Sequence, residues 1–240
     1  MEVEHPSNAL PTKQPLKGRL FPDVNQISSP SYSLTIQAHV QDAASDTIIA
    51  NDNHLIASPY TDQAHLLDLT TLDRPNQLLA RALSVLQPTR DDYATACYLE
   101  SFNWPEVIDS IRRLCSETGY SWTKRSFYVI VFRSQLYANA DSERLYELDA
   151  QSHREAVASG GLLKYWFGTT NANRENLATC IWRNQRDARL GGTGPWHQRA
   201  RTAIDEFYER ITLTRLRLEI GDDVKSWGFS EWKDEIEGPI

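Results

Sequence analysis

Cysteine, clustered basic residues and long apolar runs are all scarce in this chain, and each scarcity removes a class of protein. The three cysteines, Cys97, Cys115 and Cys180, form an odd, widely spaced set without a C-x-x-C pair. That pattern argues against a disulfide framework and against a structural zinc site. No apolar stretch approaches the roughly 18 residues of a membrane span. The N-terminal MEVEHPSNAL lacks the charged-then-apolar pattern of a secretory signal, and no N-x-[ST] sequon occurs. The formal net charge is -7, and no basic stripe offsets it, so neither nucleic acid nor an anionic membrane is an expected partner. The histidines (His5, His39, His54, His65, His153 and His197) include no pair at metal-ligand spacing. The G-x-S-x-G elbow, the P-loop, the dinucleotide fingerprint and H-E-x-x-H are missing as well. The expectation is a soluble, reduced, cytoplasmic protein with no cofactor and no metal.

What is present suits a packed core: 40% hydrophobic residues and 10% aromatics, with seven Trp and ten Tyr. Residues 1–30, rich in Pro, Ser, Asn and Gln, read as a flexible extension. Tyr32–Val40 alternates as a half-buried strand, and Ile48–Ile49 and Leu55–Ile56 suggest short strands after it. Asp73-Arg74-Pro75 opens a helix burying Leu78, Leu79, Ala82 and Leu83. Tyr93–Leu99 reads as a strand. Asn103 and Glu106 resemble a capping box on a helix that carries Val107, Ile108, Ile111 and Cys115 inward and ends at Gly119. On that face Cys115 is expected to be a small core residue. Residues 31–120 thus form an α/β segment expected to pack on a core domain over residues 121–220.

The chain is organised around that core domain. Ser126–Leu136 is apolar on both faces, Phe127, Val129 and Val131 on one and Tyr128, Ile130 and Phe132 on the other, so both faces are covered. A helix over Ser142–Ser159 stops at Gly160-Gly161. Strands over Leu162–Gly168 and Leu177–Arg183 pair as a hairpin. A helical turn over Gln185–Leu190 and a helix over Trp196–Glu209 lead to the strand Thr214–Ile220. Strand-helix-strand-strand-helix-strand is the order of an α+β, ferredoxin-like fold. The acidic tail, 221–240, carries Trp227, Phe229 and Trp232 and is expected to dock on its own domain or on a second subunit.

The runs ESFNWPEV, YVIVFRSQL, LYELDAQSHREAVASGGLLKYWFGT, ATCIWRNQRDAR and GPWHQRA resemble an uncharacterised family of fungal proteins over roughly Tyr93–Ile220. The domain is also similar to the dimeric α+β barrels, in which two ferredoxin-like sheets close face to face. That superfamily includes cofactor-free monooxygenases, isomerases, cyclases and haem-binding enzymes that act on hydrophobic small molecules. The fungal resemblance implies natural-product chemistry, an intramolecular Diels–Alder step among it; the barrel resemblance implies a sheet closed either in a homodimer or against residues 32–118 of the same chain. It assigns no catalytic residues.

Candidates therefore come from the residues themselves. Tyr165, Trp166, Phe167 and Trp182, with Phe127, Tyr128 and Phe132 on the next strand, make either a core or the wall of an apolar pocket with polar tips. His197, in the first turn of a helix after Gly194-Pro195, is placed to stay neutral and donate a hydrogen bond, or else is a surface residue. His153 reads as solvated. Arg183 is expected to pair with Asp187 or to meet a substrate oxygen. The expected catalytic donors are His197, Tyr165 and Trp182; Phe127, Tyr128, Phe132, Trp166, Phe167, Arg183 and Trp196 are expected to bind substrate. The expected activity is a cofactor-independent cyclase of the Diels–Alder type on a terpenoid or polyketide, with a cofactor-free monooxygenase or a non-catalytic ligand-binding protein as alternatives.

Overall fold

The computed structural model describes residues 49–51 and 53–233; the expected N-terminal extension and the Tyr32–Val40 strand lie outside them. The described chain opens with a small antiparallel sheet of β1 (Ile49–Asn51), β2 (His54–Leu55) and β3 (Leu67–Asp68), in that order. Three helices come next: α1 (Arg74–Ala82), α2 (Tyr98–Ser101) and α3 (Trp104–Thr118). Pro75 sits in the first turn of α1 and Pro105 in that of α3, where a missing N–H costs nothing. Gly119, at φ 63°, takes the left-handed conformation that ends α3.

The second half is β4 (Arg125–Leu136), α4 (Ser142–Ser159), β5 (Leu162–Phe167) and β6 (Glu175–Trp182). It continues with α5 (Gln185–Gly191), α6 (Pro195–Thr202), the single turn α7 (Ile204–Phe207) and β7 (Tyr208–Ile220). Asp141 caps α4, its side chain accepting the Arg144 N–H at 3.0 Å. The sheet order is β5-β6-β4-β7, every neighbour antiparallel, which is the ferredoxin-like arrangement. A fifth strand, β8 (Trp227–Glu231), pairs with β7 and extends the sheet by one edge. The aromatic tail therefore docks on its own domain.

The register decides what each sheet face meets. Val129 lies opposite Ile181 and Leu216, and Val131 opposite Thr179. This face belongs to one continuous core with Leu78, Leu79 and Leu83 of the α1 region and with Trp104, Ile108 and Ile111 of α3, all at most 1% exposed. Phe229 of β8 completes it, its ring centroid 4.8 Å from that of Trp104. In an α+β barrel this face would meet a second sheet; here the same chain covers it, so no partner is needed to bury it. The other face, with Tyr128 opposite Trp182 and Ile130 opposite Cys180, packs on Ala156 and Val157 of α4. No helix among the described residues is long and apolar enough to cross a membrane.

Three local expectations give way. Tyr93–Leu99 is not a strand but a turn leading into α2. The Asp92 carbonyl accepts the N–H groups of Thr95 and Ala96, both at 3.0 Å, and the Arg133 guanidinium binds the carbonyls of Tyr93, Ala94 and Ala96. Those carbonyls are thereby withdrawn from any ladder. The helix over Trp196–Glu209 breaks at Ala203, because Tyr137 donates its N–H to the Phe207 carbonyl at 2.9 Å and draws the chain onto β4. β7 therefore starts at Tyr208, where Ile211, Thr212 and Thr214 favour a strand. Asn103 makes no capping box. Its amide donates to Glu106 Oε2 at 2.6 Å and to the Val85 carbonyl at 2.9 Å, and its Oδ1 accepts the Gln87 N–H at 2.9 Å.

Candidate functional site: a carboxylate buried between two tyrosines

The helix-side face carries a concentration of polar groups in an apolar setting. Asp149 projects from α4 toward the sheet. Its Oδ1 accepts the Tyr165 hydroxyl of β5 at 2.7 Å, and its Oδ2 accepts the Tyr60 hydroxyl at 2.5 Å. Tyr60 arrives on the loop between β2 and β3. That loop is tied down by the Tyr165 N–H, which donates to the Ala57 carbonyl at 2.8 Å, and by Ser58 Oγ, which accepts the Tyr60 N–H at 3.2 Å. One turn along α4 from Asp149, His153 places Nδ1 2.7 Å from Nδ1 of His65, and the two rings stack at 5.0 Å. Tyr60 stacks on His65 at 4.5 Å, so five side chains from three segments form one unit around the Asp149 carboxylate, the other four all buried.

Burial sets the electrostatics. It raises the Asp149 carboxyl above the ordinary carboxylate range, against the two tyrosine hydrogen bonds and the nearby His197, which favour the anion. Burial also drives the Tyr60 and Tyr165 hydroxyls far up, and the Asp149 charge adds to it, so both remain protonated donors. His153 is pushed down to about 3 by burial and then by its neighbours His65 and His197. His65 is lowered by burial and by Arg154. Tyr208 rises to about 12 through burial and the charge of Asp149. The Cys180 thiol is raised by burial and by Asp149, which leaves it protonated and inert. A carboxylate with raised proton affinity, flanked by two phenols and a neutral imidazole pair, can hold or move a proton without water.

The sequence candidates divide between the two sheet faces. Tyr165 and Trp182 share the helix-side cluster with Tyr128, and Phe167 packs on it. The indole N–H of Trp182 is buried with no acceptor in hydrogen-bond geometry among the described residues, although it lies near enough to Cys180 to favour the thiolate. Phe127 and Trp166 face the opposite way, Trp166 meeting Phe102 edge-on at 4.9 Å. They cannot line one pocket with Tyr165. Phe132 lies opposite Ala178 and is half-buried. Trp196 packs on a third cluster with Phe207, and Arg199 sits over its ring at 4.4 Å.

His197 is half-buried rather than a surface residue. Glu155 accepts the N–H groups of Trp196 at 2.8 Å and His197 at 3.0 Å, and lies 3.3 Å from His197 Nδ1. Burial lowers the His197 pKa, with Glu155 opposing. His153, expected in solvent, is 5% exposed. Arg183 Nε donates to Asp187 Oδ2 at 2.7 Å. Asp149, Tyr60 and His65 were absent from the sequence candidates. The available signal was Asp149 and His153 at i, i+4 beside the buried Leu148, Ser152 and Ala156 of α4, which puts both on the inward side. Nothing local pointed to the loop residues.

The fold and this cluster define a ferredoxin-like α+β protein whose helix side holds a buried acid–base group. More narrowly, the chain belongs to the PB2B2.08-like family, whose profile matches residues 56–231. That span reaches back to the loop bearing Tyr60 and takes in α1, further toward the N-terminus than the motifs reached. The chain is 34% identical to UPF0643 protein PB2B2.08 of Schizosaccharomyces pombe over 181 residues, covering 72% of this chain and 82% of that one. Among solved structures it is similar to Rv0793 of Mycobacterium tuberculosis, with 19% identity, 38% of this chain and 92% of that one covered, and a TM-score of 0.34. It is also similar to SnoaB, a cofactor-independent oxygenase from Streptomyces nogalater, with 10% identity, coverages of 47% and 99%, and a TM-score of 0.32.

Proposed function

We propose that the chain is a cofactor-independent cyclase, of the intramolecular Diels–Alder type, acting on a hydrophobic carbonyl compound of terpenoid or polyketide character. The observation that carries this reading is Asp149, a carboxylate buried between the Tyr60 and Tyr165 hydroxyls. Substrate enters by displacing the loop that bears Tyr60 and His65. The freed Asp149, in its protonated form, donates to the Tyr165 oxygen, and the Tyr165 hydroxyl turns to the carbonyl oxygen of the dienophile and stabilises charge developing there. Tyr128, Phe167 and Trp182 supply the apolar wall that folds the substrate into a reactive conformer. His197, near Asp149, is the second donor.

The same carboxylate supports a second reading. A base with raised proton affinity suits abstraction of a proton from an acidic substrate carbon, and the carbanion so formed can react with molecular oxygen in a cofactor-free oxygenation. Mass separates the two. An intramolecular cycloaddition leaves substrate mass unchanged, whereas a cofactor-free monooxygenation that turns a CH2 into a carbonyl gains one atom of O2, loses two hydrogens and releases the other oxygen atom as water. Incubating the protein with small-molecule extracts of its host under labelled oxygen, followed by mass spectrometry, is expected to give an isomer of a consumed compound without label. Labelled product would replace the cyclase with the oxygenase. Stoichiometric binding without any product would mark a ligand-binding protein and overturn both.

A further inference from the structure

A groove of about 650 Å³ opens where the start of α1, the start of β4 and the end of β6 meet, well within the range of small-molecule sites. Arg125 and Arg183 line it, with Asp73, Asn76 and Asn184. Arg183 is aimed by a built support. Asp187, 9% exposed, accepts its Nε at 2.7 Å and the Asn184 amide at 2.9 Å, and the Asn184 Oδ1 in turn accepts the Asp187 N–H at 2.9 Å. One edge of the guanidinium is thus used, and its two terminal nitrogens have no partner among the described residues. Arg125 spends only Nη1, on Asp73 Oδ2 at 3.2 Å. A guanidinium carries five N–H donors, and unpaired forks of this kind match a carboxylate.

The opposite polarity lies in the same groove. Asn76 is 7% exposed and donates its amide nitrogen to Asp73 Oδ1. A carboxylate partner fixes which end of the amide is nitrogen, so Oδ1 is the inward end, closed to solvent and without a donor among the described residues. Beside it stands the Asp73 carboxylate, 54% exposed.

We infer that this groove binds a small zwitterion of the α-amino acid class, its carboxylate on Arg183 and Arg125 and its ammonium on the exposed Asp73 carboxylate. The site is separate in composition from the Asp149 cluster and stands whether or not that cluster is catalytic. Ligand-observed NMR with the common α-amino acids, one at a time, tests it on the full chain. At least one amino acid is expected to bind saturably. Its N-acetyl derivative, which loses the ammonium, and its amide, which loses the carboxylate, are each expected to bind at least about tenfold more weakly. Arg183→Lys keeps the charge and the Asp187 pair but loses the fork, and Arg125→Gln touches only the surface. Each is expected to weaken binding by about tenfold or more. Absence of binding by every amino acid at about 10 mM overturns the inference. So does binding that both arginine variants leave unchanged, or an N-acetyl derivative that binds as well as its parent.

Discussion

Tyr60 and Asp149 stand 89 positions apart in the chain, yet the tyrosine hydroxyl donates to the buried carboxylate at 2.5 Å. That bond fastens the loop between β2 and β3 onto the long helix of the ferredoxin-like unit. Tyr60→Phe removes the bond while leaving the ring stacked on His65. A hydrogen bond to a charged group is worth about 1.5–3 kcal/mol. The variant is therefore expected to lose stability of that order, and the amides of residues 57–66 should exchange faster in hydrogen–deuterium exchange than the rest of the fold. Uniform exchange would show that the loop is held by its other contacts.

The histidine pair predicts an acid-sensitive fold. The folded pKa of His153 is lowered from 6.5 to about 3. Between those values the unfolded chain binds more protons than the folded one, so stability is lost as pH falls from about 6.5 towards 3 and is full above that window. His65 and His197 are lowered as well and act in the same direction. For His153 the slope is expected to approach about 1.4 kcal/mol per pH unit. His153→Gln should flatten it, as measured by urea midpoints at pH 5 and pH 7. An equal slope in the variant would place the acid sensitivity elsewhere.

Lys164 offers a gain in stability. It is 8% exposed, and burial lowers its pKa from 10.5 to about 8. Here too the unfolded chain binds more protons across the window. The cost of burying the charge is fully present below about pH 8 and disappears above 10.5. Lys164→Met is expected to stabilise the protein by about 1–3 kcal/mol at pH 7 and to lose that advantage towards pH 10.5. Thermal unfolding at the two pH values checks it; a destabilised variant at pH 7 would mean that the ammonium is satisfied.

Covering of the second sheet face by the chain itself predicts a cost for uncoupling it. Phe229 packs on Trp104 at 4.8 Å and on Tyr98 at 5.5 Å. Phe229 is half-buried on the core, and Phe229→Ala is expected to cost about 1–3 kcal/mol and to expose the edge of β7. A loss under about 1 kcal/mol, read by denaturant unfolding, would show that β8 adds little to the core.

The ferredoxin-like unit was legible because its signals are local. Alternation in β4, the Gly160-Gly161 stop and the hairpin of β5 and β6 each arise from neighbouring residues. The turn at Tyr93 was not legible, since Arg133, forty positions away, holds its carbonyls. Of the candidate cluster, Tyr165 was visible as an aromatic with a polar tip on a strand. Asp149 and His153 looked like ordinary polar residues of a helix, because only the tertiary fold decides which flank of that helix is covered. Tyr60 and His65 come from a loop without periodicity, and nothing in their vicinity announces that they close over α4. The sequence also read the sheet's apolar side as a pocket wall. Phe127 and Trp166 instead meet α1, α3 and their connections, which only long-range packing could reveal.

The central claim is that the buried Asp149 serves chemistry and not merely the attachment of a loop. The most direct test measures Asp149→Asn twice on the same preparation, by thermal unfolding and by product formation from the host extract. Asparagine keeps the shape and can still accept a tyrosine hydroxyl, while it removes a buried charge whose ionisation is opposed by its surroundings. The account predicts a variant as stable as the parent or more so at pH 7 that forms product at least about tenfold more slowly, because an amide polarises the Tyr165 hydroxyl less than a carboxylic acid does. A variant that unfolds readily yet, while folded, forms product at the parental rate would contradict it and leave Asp149 a structural tie.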